Sequence, residues 1–216
     1  MKHKAKKRIT KWRFDKWAHR YDDSILQHFI FRTSHNMLYR EIASNNHNGS
    51  KIKILDVGCG TGELAHNLAR DFSKAEIYGV DISETMIKKA IAKKGKDNIK
   101  FEAGDVEDLP YKDSLFDIIA CSHSFHHYLN KDKAMTEMYR VLKPDGRLMI
   151  IDGCRDVLFG RIVFDIVERI EKHVYHLLSR EFRELFRKSG FNNLVQKRFN
   201  FVPLLLTIGT AIKSGR

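Results

Sequence analysis

The spacing of apolar residues changes near residue 50. Between Trp12 and Tyr39 apolar side chains recur every three or four residues, which is the period of an α-helix. The polar, glycine-containing segment 44–50 interrupts this pattern. Beyond it, short apolar runs alternate with helical patterns. We therefore expect two parts, a basic arm with one or two helices in residues 1–44 and a core in residues 50–216.

The core alternates strands and helices. Strands are predicted at residues 52–57, 77–80, 99–103, 115–121 and 147–152. Helices are predicted at residues 63–72, from an N-cap at Ser83 with Met86, Ile87, Ala90 and Ile91 facing inward, and at 131–142. This alternation is typical of an α/β fold with a doubly wound, mostly parallel sheet covered by helices on both faces.

The C-terminal third departs from this alternation. Residues 156–178 carry an apolar stripe with helical spacing, which predicts a helical insertion. A further helix is expected over 179–189, ended by Gly190. Residues 194–201 and 204–212 are predicted to be a hairpin pair of strands at the edge of the sheet.

A glycine-rich turn, DVGCGTG at residues 56–62, follows the first predicted strand. Glycines allow a tight turn and close approach of a ligand, and the N-terminus of the next helix favours an anionic group. Taken alone, the glycine-rich segment could be only a tight turn that binds no ligand. A dinucleotide fingerprint requires another glycine spacing, and Glu63 stands where it needs a small residue, so NAD binding is disfavoured.

Two further carboxylates follow the next two strands. Asp81 is suited to accept hydrogen bonds from both hydroxyls of a ribose, and Ser83 is better placed than Asp81 to cap the following helix. Asp105, beside the backbone of Val106, could accept a hydrogen bond from an adenine amino group, or could simply form a turn after Gly104. Together with Asp56 they predict an adenosine-shaped site at the carboxyl ends of the strands.

The ordered series ILDVGCGTGELA, GVDISETMI, AGDVEDLPYKDSLFDII and EMYRVLKPDGRLMIID resembles the motifs of class I S-adenosylmethionine-dependent methyltransferases. The opening FDKWAHRYD resembles the start of the ubiquinone/menaquinone-type branch. The resemblance implies a Rossmann-like seven-stranded sheet of order 3-2-1-4-5-7-6 with the last inserted strand antiparallel. It also implies that S-adenosylmethionine is converted to S-adenosylhomocysteine.

The same resemblance assigns residues to the cofactor. Asp56 and residues 58–62 would hold the methionine moiety, Asp81 the ribose, and Asp105 with Val106 the adenine. The full predicted cofactor set is Tyr21, Asp56, Gly58, Cys59, Gly60, Gly62, Asp81, Ile82, Met86, Gly104, Asp105, Val106 and Ser122.

The segment SHSFHHY at residues 122–128 follows the fourth strand, where an acceptor would lie. His126, and after it His123, are the candidate general bases; His173, Tyr175 and His19 are secondary candidates. These side chains could equally only shape the pocket. A metal held by the histidines of this segment is not expected, because no acidic or cysteine ligand lies nearby in the sequence.

Charge is concentrated at the N-terminus. The net charge is +12, and residues 1–20 hold nine Lys or Arg against the single acid Asp15, which gives this arm +8. Such an arm could bind nucleic acid, anionic lipid or an acidic partner, or be a solvated tail.

The sequence also predicts a location. Cys59, Cys121 and Cys154 are too far apart to resemble a zinc site or a disulfide framework, which indicates a reducing compartment. The basic N-terminus has no apolar run of a secretory signal behind it, and residues 201–212 are too few to span a bilayer. We expect a soluble, cytoplasmic protein, with peripheral membrane contact through the arm as an open alternative.

Three functions remain. The first is a methyltransferase for a small apolar or lipid-like acceptor, with residues 156–178 as a substrate lid and Trp12, Phe14 and Trp17 of the arm against a membrane. The second is an RNA or tRNA methyltransferase that grips phosphates with the arm; no RNA-binding module is recognisable outside it. The third is a domain that only senses S-adenosylmethionine.

Overall fold

A computed structural model describes residues 2–17, 25–44, 51–93, 95–171, 174–199 and 202–213. The helices are α1 (Lys2–Trp17), α2 (Ile25–Ala43), α3 (Glu63–Asp71), α4 (Glu84–Ala92), α5 (Lys131–Val141), α6 (Leu158–Ile170) and α7 (Ser179–Lys188). The strands are β1 (Lys53–Val57), β2 (Glu76–Asp81), β3 (Ile99–Ala103), β4 (Phe116–Ser122), β5 (Leu142–Gly153), β6 (Phe191–Arg198) and β7 (Leu204–Ala211).

The strands form one seven-stranded sheet in the order β3-β2-β1-β4-β5-β7-β6. Strands β1 to β5 pair in parallel, and β7 runs antiparallel to both β5 and β6. This confirms the predicted fold class and strand order. The order reverses between β1 and β4, and in such sheets a crevice for ligands opens at the carboxyl ends of the strands on either side of that point.

Helices cover both faces of the sheet. Ile54 and Leu55 are adjacent in β1, both are fully buried, and they belong to separate apolar clusters. Successive strand residues point to opposite faces, so a strand that is apolar throughout is stable only when both faces are covered. Leu38 and Ile42 of α2 are fully buried in the Ile54 cluster, so α2 packs with the sheet.

The predicted helix over residues 156–178 is wrong in its second half. Helix α6 ends at Ile170, and Leu177 instead forms a bridge with Cys154. The backbone N–H of Tyr175 donates to the carbonyl of His126, and that of His176 donates to the Glu168 carboxylate. These tertiary hydrogen bonds satisfy the backbone outside a helix and override the helical spacing of the apolar residues.

Two local predictions have opposite outcomes. Gly190 ends α7 with φ 91°, as the sequence predicted. The inward orientation predicted for Ile91 is wrong, because its side chain is 62% exposed whereas Met86 and Ala90 are buried. Ile91 lies in the last turn of α4, at the margin of the arc that faces the sheet.

No helix among the described residues is both long enough and apolar enough to cross a membrane. Cys59, Cys121 and Cys154 are all free and buried.

Candidate active site

The glycine-rich turn between β1 and α3 folds against the end of β2. The backbone N–H groups of Gly58 and Cys59 both donate to the Val80 carbonyl, at 2.8 and 3.1 Å. Gly58 has φ 70°, and a Cβ there would lie 2.4 Å from Oγ of Ser124. The position therefore requires glycine both for its backbone angle and for the close approach of Ser124.

Asp81 fixes this turn. Its Oδ2 accepts the N–H of Gly60 at 3.0 Å, and its Oδ1 accepts the N–H of Ser83 at 2.8 Å. Burial raises the pKa of Asp81 against the lowering effect of those two hydrogen bonds. Ser83 caps α4 by accepting the N–H of Met86, which confirms the predicted N-cap and leaves Asp81 to the turn.

Asp56 lies in the interior beside Asp81. Its Oδ2 is buried and has no hydrogen-bond partner among the described residues, and the same holds for Oγ of Ser122. Burial, with the charge of Asp81, raises the pKa of Asp56 to about 8. Both residues line a small cavity that also touches His123. A buried carboxyl oxygen without a partner fits a cationic ligand group, such as the ammonium of a bound amino acid.

Asp105 lines the main cavity, which has a volume of about 490 Å³. Its Oδ1 accepts the N–H of Glu107, so the turn-forming role considered from sequence is present. Its Oδ2 accepts a hydrogen bond from Nζ of Lys7 at 2.5 Å, and the same ammonium lies 2.7 Å from Glu107. Helix α1 is thereby tied across the mouth of the cavity, where Lys7, Thr10 and Phe14 line it.

The structure brings most of the predicted cofactor set together. The main cavity is lined by Gly58, Gly60, Asp81, Ile82, Met86, Gly104, Asp105 and Val106, and the small one by Asp56, Gly58, Cys59, Gly60 and Ser122. Gly62 lines neither cavity; it is the N-cap of α3 at φ 79°, packed on Phe101. Tyr21, and the secondary candidates His19 and His173, lie outside the described residues.

His126 lines the main cavity and is held by Asp152 at the end of β5. The distance from Nδ1 of His126 to Oδ1 of Asp152 is 2.6 Å, and the backbone N–H of His126 donates to Oδ2 at 2.7 Å. Burial would raise the pKa of Asp152, but the charge and hydrogen bond of His126 hold it well below its usual range. Asp152 therefore stays ionised, and His126 Nδ1–H donates to it.

Stacked rings surround this pair. His176 lies between Phe164 and His126, with ring centroids 4.0 and 4.5 Å away, and His127 lies 4.0 Å from His126. Burial, with the charge of His126, lowers the pKa of His176 to about 4 and holds the pKa of His127 well below its usual value. At neutral pH these two rings are uncharged, so they add aromatic surface without charge beside the ionised Asp152.

His123, the second candidate base, is engaged elsewhere. Its Nε2 lies 2.7 Å from Oγ of Ser34 of α2, and its ring packs on Phe31 with centroids 4.8 Å apart. Burial lowers its pKa to about 4. Its backbone has φ 54°, a strained conformation for this residue type that is often found at functional sites.

The ligand atoms of His126, Asp152 and His176 lie within 4.8 Å of one another, which is the spacing of a candidate metal site. This set differs from the histidine run considered from sequence. The rings of His126 and His176 are stacked with planes 20° apart. Because a metal lies in the plane of each imidazole that binds it, both rings cannot hold one ion without rotating. The geometry favours a hydrogen-bonded base, and the absence of a metal stays a prediction.

Sequence reasoning missed three residues of the site. Asp152 had a usable signal, since it ends a predicted strand at the same edge as Asp56, Asp81 and Asp105. Lys7 was counted only as part of the charged arm. His176 reaches the cavity through the extended segment after α6, which the helical pattern concealed.

A seven-stranded sheet of this order, with a glycine turn and carboxylates at consecutive strand ends, defines the class I methyltransferase architecture that the sequence resembles. The family model of the methyltransferase domain matches residues 48–195, and the chain belongs to this family. It is an S-adenosylmethionine-dependent methyltransferase, and the family and fold imply S-adenosylmethionine as its cofactor.

Two relatives illustrate the match. A demethylmenaquinone methyltransferase of Lactiplantibacillus plantarum is 27% identical over 91% of this chain and 93% of that protein. The methyltransferase YcgJ of Bacillus subtilis, whose function is uncharacterised, is 40% identical over 46% of this chain and 40% of its own length.

Solved structures share the fold. A chain from the complex of the Haloferax volcanii Trm112 methyltransferase activator with a methyltransferase superposes with a TM-score of 0.74, over 93% of this chain and 98% of its own, at 20% identity. The crystal structure of YcgJ gives a TM-score of 0.65 over 76% of this chain and 94% of its own, at 21% identity.

Proposed function

We propose that the protein transfers a methyl group from S-adenosylmethionine to a small apolar acceptor that carries an ionisable ring hydroxyl. The observation that supports this most is the His126–Asp152 pair, in which a contact of 2.6 Å joins an imidazole that lines the cavity to a buried carboxylate. The comparisons support the methyltransferase class; the acceptor is our inference from the cavity.

The proposed cofactor contacts follow the sequence prediction. Asp56 would meet the ammonium of the amino-acid end, which gives its unpartnered Oδ2 a charged donor. Asp81 would meet the ribose, and Asp105 the adenine amino group beside the backbone of Val106. Bound there, the cofactor supplies an activated methyl group on a sulfonium, so that positioning the acceptor provides much of the acceleration.

His126 is the proposed general base. Its Nδ1–H is held by Asp152, which leaves Nε2 with a free lone pair for the acceptor proton. As Nε2 takes the proton of the ring hydroxyl, electron density increases on the acceptor oxygen and on the ring carbon beside it. The oxygen or that ring carbon would then form the bond to the methyl carbon, while the methyl–sulfur bond would break with its electron pair on sulfur to give S-adenosylhomocysteine. For methylation on carbon, the hydrogen of the methylated ring carbon would afterwards leave as a proton to restore the aromatic ring. Asp152 stabilises the imidazolium and acts as a positioning residue.

The residues that line the main cavity indicate the chemical class of the acceptor. The stacked rings of Phe164, His176 and His126, with the His127 ring tilted by 45° against His126, form an aromatic wall that suits an aromatic acceptor. Leu204 and Val163 extend the apolar part of this wall. A relative that spans almost the whole chain carries the name demethylmenaquinone methyltransferase. We therefore propose a hydroquinone-like ring as the acceptor of this chain.

The test uses labelled S-adenosylmethionine and 1,4-naphthohydroquinone, with the products analysed by mass spectrometry. Methylated naphthol-type product is expected from the wild type, and His126→Gln should lower the rate by about 10²–10⁴-fold. His127→Gln is the matched control, because His127 lines the same cavity without a carboxylate partner, and its rate should fall far less. Equal losses in the two variants would mean that the histidines only shape the pocket.

The role of the basic arm is a second proposal. Lys7, Lys11 and Arg13 of α1 are paired with acids of the core, at 2.5–3.0 Å, so these cations are engaged on the protein itself. The remaining described cations, Lys6, Arg8 and Lys16, are exposed. This favours the arm as a cap over the cofactor cavity, with outward charge for peripheral contact with anionic lipid, over the RNA clamp considered from sequence.

The same arrangement supports the predicted division of the chain. Residues 1–44 would form the cap on the substrate side, and residues 50–216 the methyltransferase core. Exchanging Lys6, Arg8 and Lys16 for glutamine should weaken binding to anionic vesicles and leave cofactor affinity unchanged. RNA binding that is lost in the same variant, with no vesicle binding, would instead restore the RNA hypothesis.

A further inference from the structure

Helix α6 exposes a continuous apolar stripe. Leu158, Ile162, Ile166 and Ile170 are 74, 53, 51 and 76% exposed. They follow one another at intervals of four residues, which places them along one side of the helix. Single exposed apolar residues are ordinary, but four large ones in a row on a 13-residue helix form a patch that needs a covering partner.

The opposite side of α6 is also apolar. Phe164 is buried and stacks on His176 at 4.0 Å, and the half-buried Val163 lines the main cavity. Val163 lies between the exposed stripe and the buried face around the helix. The outer surface and the acceptor end of the cavity are thus joined by apolar side chains, without a polar barrier on α6 between them.

The charges beside the stripe are positive. Arg161 and Arg169 are exposed on its border. The acids of this region are paired: Asp165 and Glu168 both bind Arg155, and Glu171 binds Arg13 of α1 at 3.0 Å. An apolar stripe bordered by unopposed arginines matches the interface of an anionic bilayer, with the apolar residues below the headgroups and the cations among them.

Helix α1 extends this surface. The Arg13–Glu171 ion pair joins the C-terminal end of α1 to the end of α6. On the outer side of α1, Ile9 and Trp12 are about half exposed, and Lys16 lies over the Trp12 ring at 4.1 Å. Tryptophan with lysine is a typical pairing at the headgroup level of a membrane.

We propose that the exposed stripe of α6 docks on an anionic lipid bilayer, with the outer side of α1 beside it, and that an apolar acceptor enters the cavity from the bilayer past Val163. The docking itself rests only on the surface described above. The entry route rests in addition on the proposed function.

The test is vesicle sedimentation of the full chain. Wild-type protein is mixed with phosphatidylcholine vesicles that contain or lack phosphatidylglycerol. The variant Ile162→Gln/Ile166→Gln keeps the net charge and does not lower the helix propensity, and it should bind the anionic vesicles at least about tenfold more weakly. The control, Ile91→Gln/Val195→Gln, also replaces two exposed apolar side chains by glutamine, on α4 and β6 outside the stripe, and should bind like the wild type.

Two results would overturn the docking proposal. One is equal vesicle binding by the stripe variant and the control. The other is a wild-type dimer in sedimentation velocity that the stripe variant alone dissociates, with no vesicle binding by either, because the stripe would then be a subunit interface.

Methylation of 1,4-naphthohydroquinone, which dissolves without vesicles, separates this proposal from the proposed function. The stripe variant should methylate it at the wild-type rate. If the wild type fails to methylate it but binds vesicles through the stripe, the proposed acceptor chemistry fails while the docking stands.

Discussion

Nδ1 of His126 lies 2.6 Å from Oδ1 of Asp152, and the backbone N–H groups of His126 and Gly153 bind the same carboxylate at 2.7 Å. The carboxylate is 2% exposed. Three donors thus hold a buried charge, and that charge fixes both the tautomer and the orientation of the imidazole. The pair is built to present Nε2 to the cavity.

Replacing Asp152 by asparagine should impair turnover more than binding. The amide can donate to Nδ1, which favours the tautomer with the proton on Nε2 and removes the base. We expect kcat to fall by up to about 10²–10⁴-fold, with KM for the acceptor nearly unchanged. Steady-state kinetics check this. A loss confined to KM, with kcat retained, would show that Asp152 only maintains the shape of the pocket.

The raised pKa of Asp56 predicts that cofactor binding releases a proton. With a pKa of about 8, it is largely protonated at pH 7 in the free protein. A cofactor ammonium beside it would lower that pKa, so binding at pH 7 should release about one proton. Calorimetric titrations in buffers of different ionisation enthalpy measure this number. Asp56→Asn should release none, and an equal release by this variant would contradict the assignment.

The same carboxyl predicts a pH effect on stability. Its pKa is raised on folding, so the folded state binds the proton more tightly than the unfolded state does. Its contribution to stability is full below about pH 4 and is lost as the pH rises from there to about 8. The free energy of unfolding of Asp56→Asn should therefore decline less than that of the wild type over this range. Parallel curves for the two proteins would contradict the raised pKa.

Gly58→Ala should destabilise the turn and the protein together. The new Cβ combines a positive φ with a 2.4 Å approach to Oγ of Ser124, for an expected loss of about 2–4 kcal/mol in the free energy of unfolding. Denaturant titration measures it. Ser124→Gly removes the contact with Ser124 but leaves the backbone strain and the 3.0 Å approach of the new Cβ to the Tyr128 hydroxyl. Gly58→Ala should therefore cost less in the Ser124→Gly background than in the wild type. An equal cost in both backgrounds would show that the contact with Ser124 contributes nothing.

The sequence predicted the sheet because its signals are local. Continuous apolar strands, the glycine turn and the Ser83 cap each act within a few residues, and together they define the strand ends where Asp56, Asp81 and Asp105 meet. Helix α6 was overextended because the segment after it pairs with distant parts of the chain: the backbone N–H of Tyr175 donates to the His126 carbonyl, and Leu177 forms a bridge with Cys154. Such long-range contacts leave no periodic trace in the chain.

The acceptor end was predicted only in part for the same reason. His126 could be singled out from its place after β4, but its partner Asp152 is 26 residues further along the chain. The contact of Lys7 with Asp105 spans 98 residues and depends on where α1 crosses the cavity. No spacing rule connects residues so far apart.

The most direct test of the central claim is a calorimetric titration of the protein with S-adenosylmethionine and S-adenosylhomocysteine, alongside Asp81→Asn, with NADH as the competing ligand. Circular dichroism first establishes that the variant is folded. The account predicts micromolar binding of both adenosyl ligands, a loss of at least about tenfold in Asp81→Asn, and no binding of NADH. Folded wild-type protein that binds neither adenosyl ligand, with or without 1,4-naphthohydroquinone present, would contradict it.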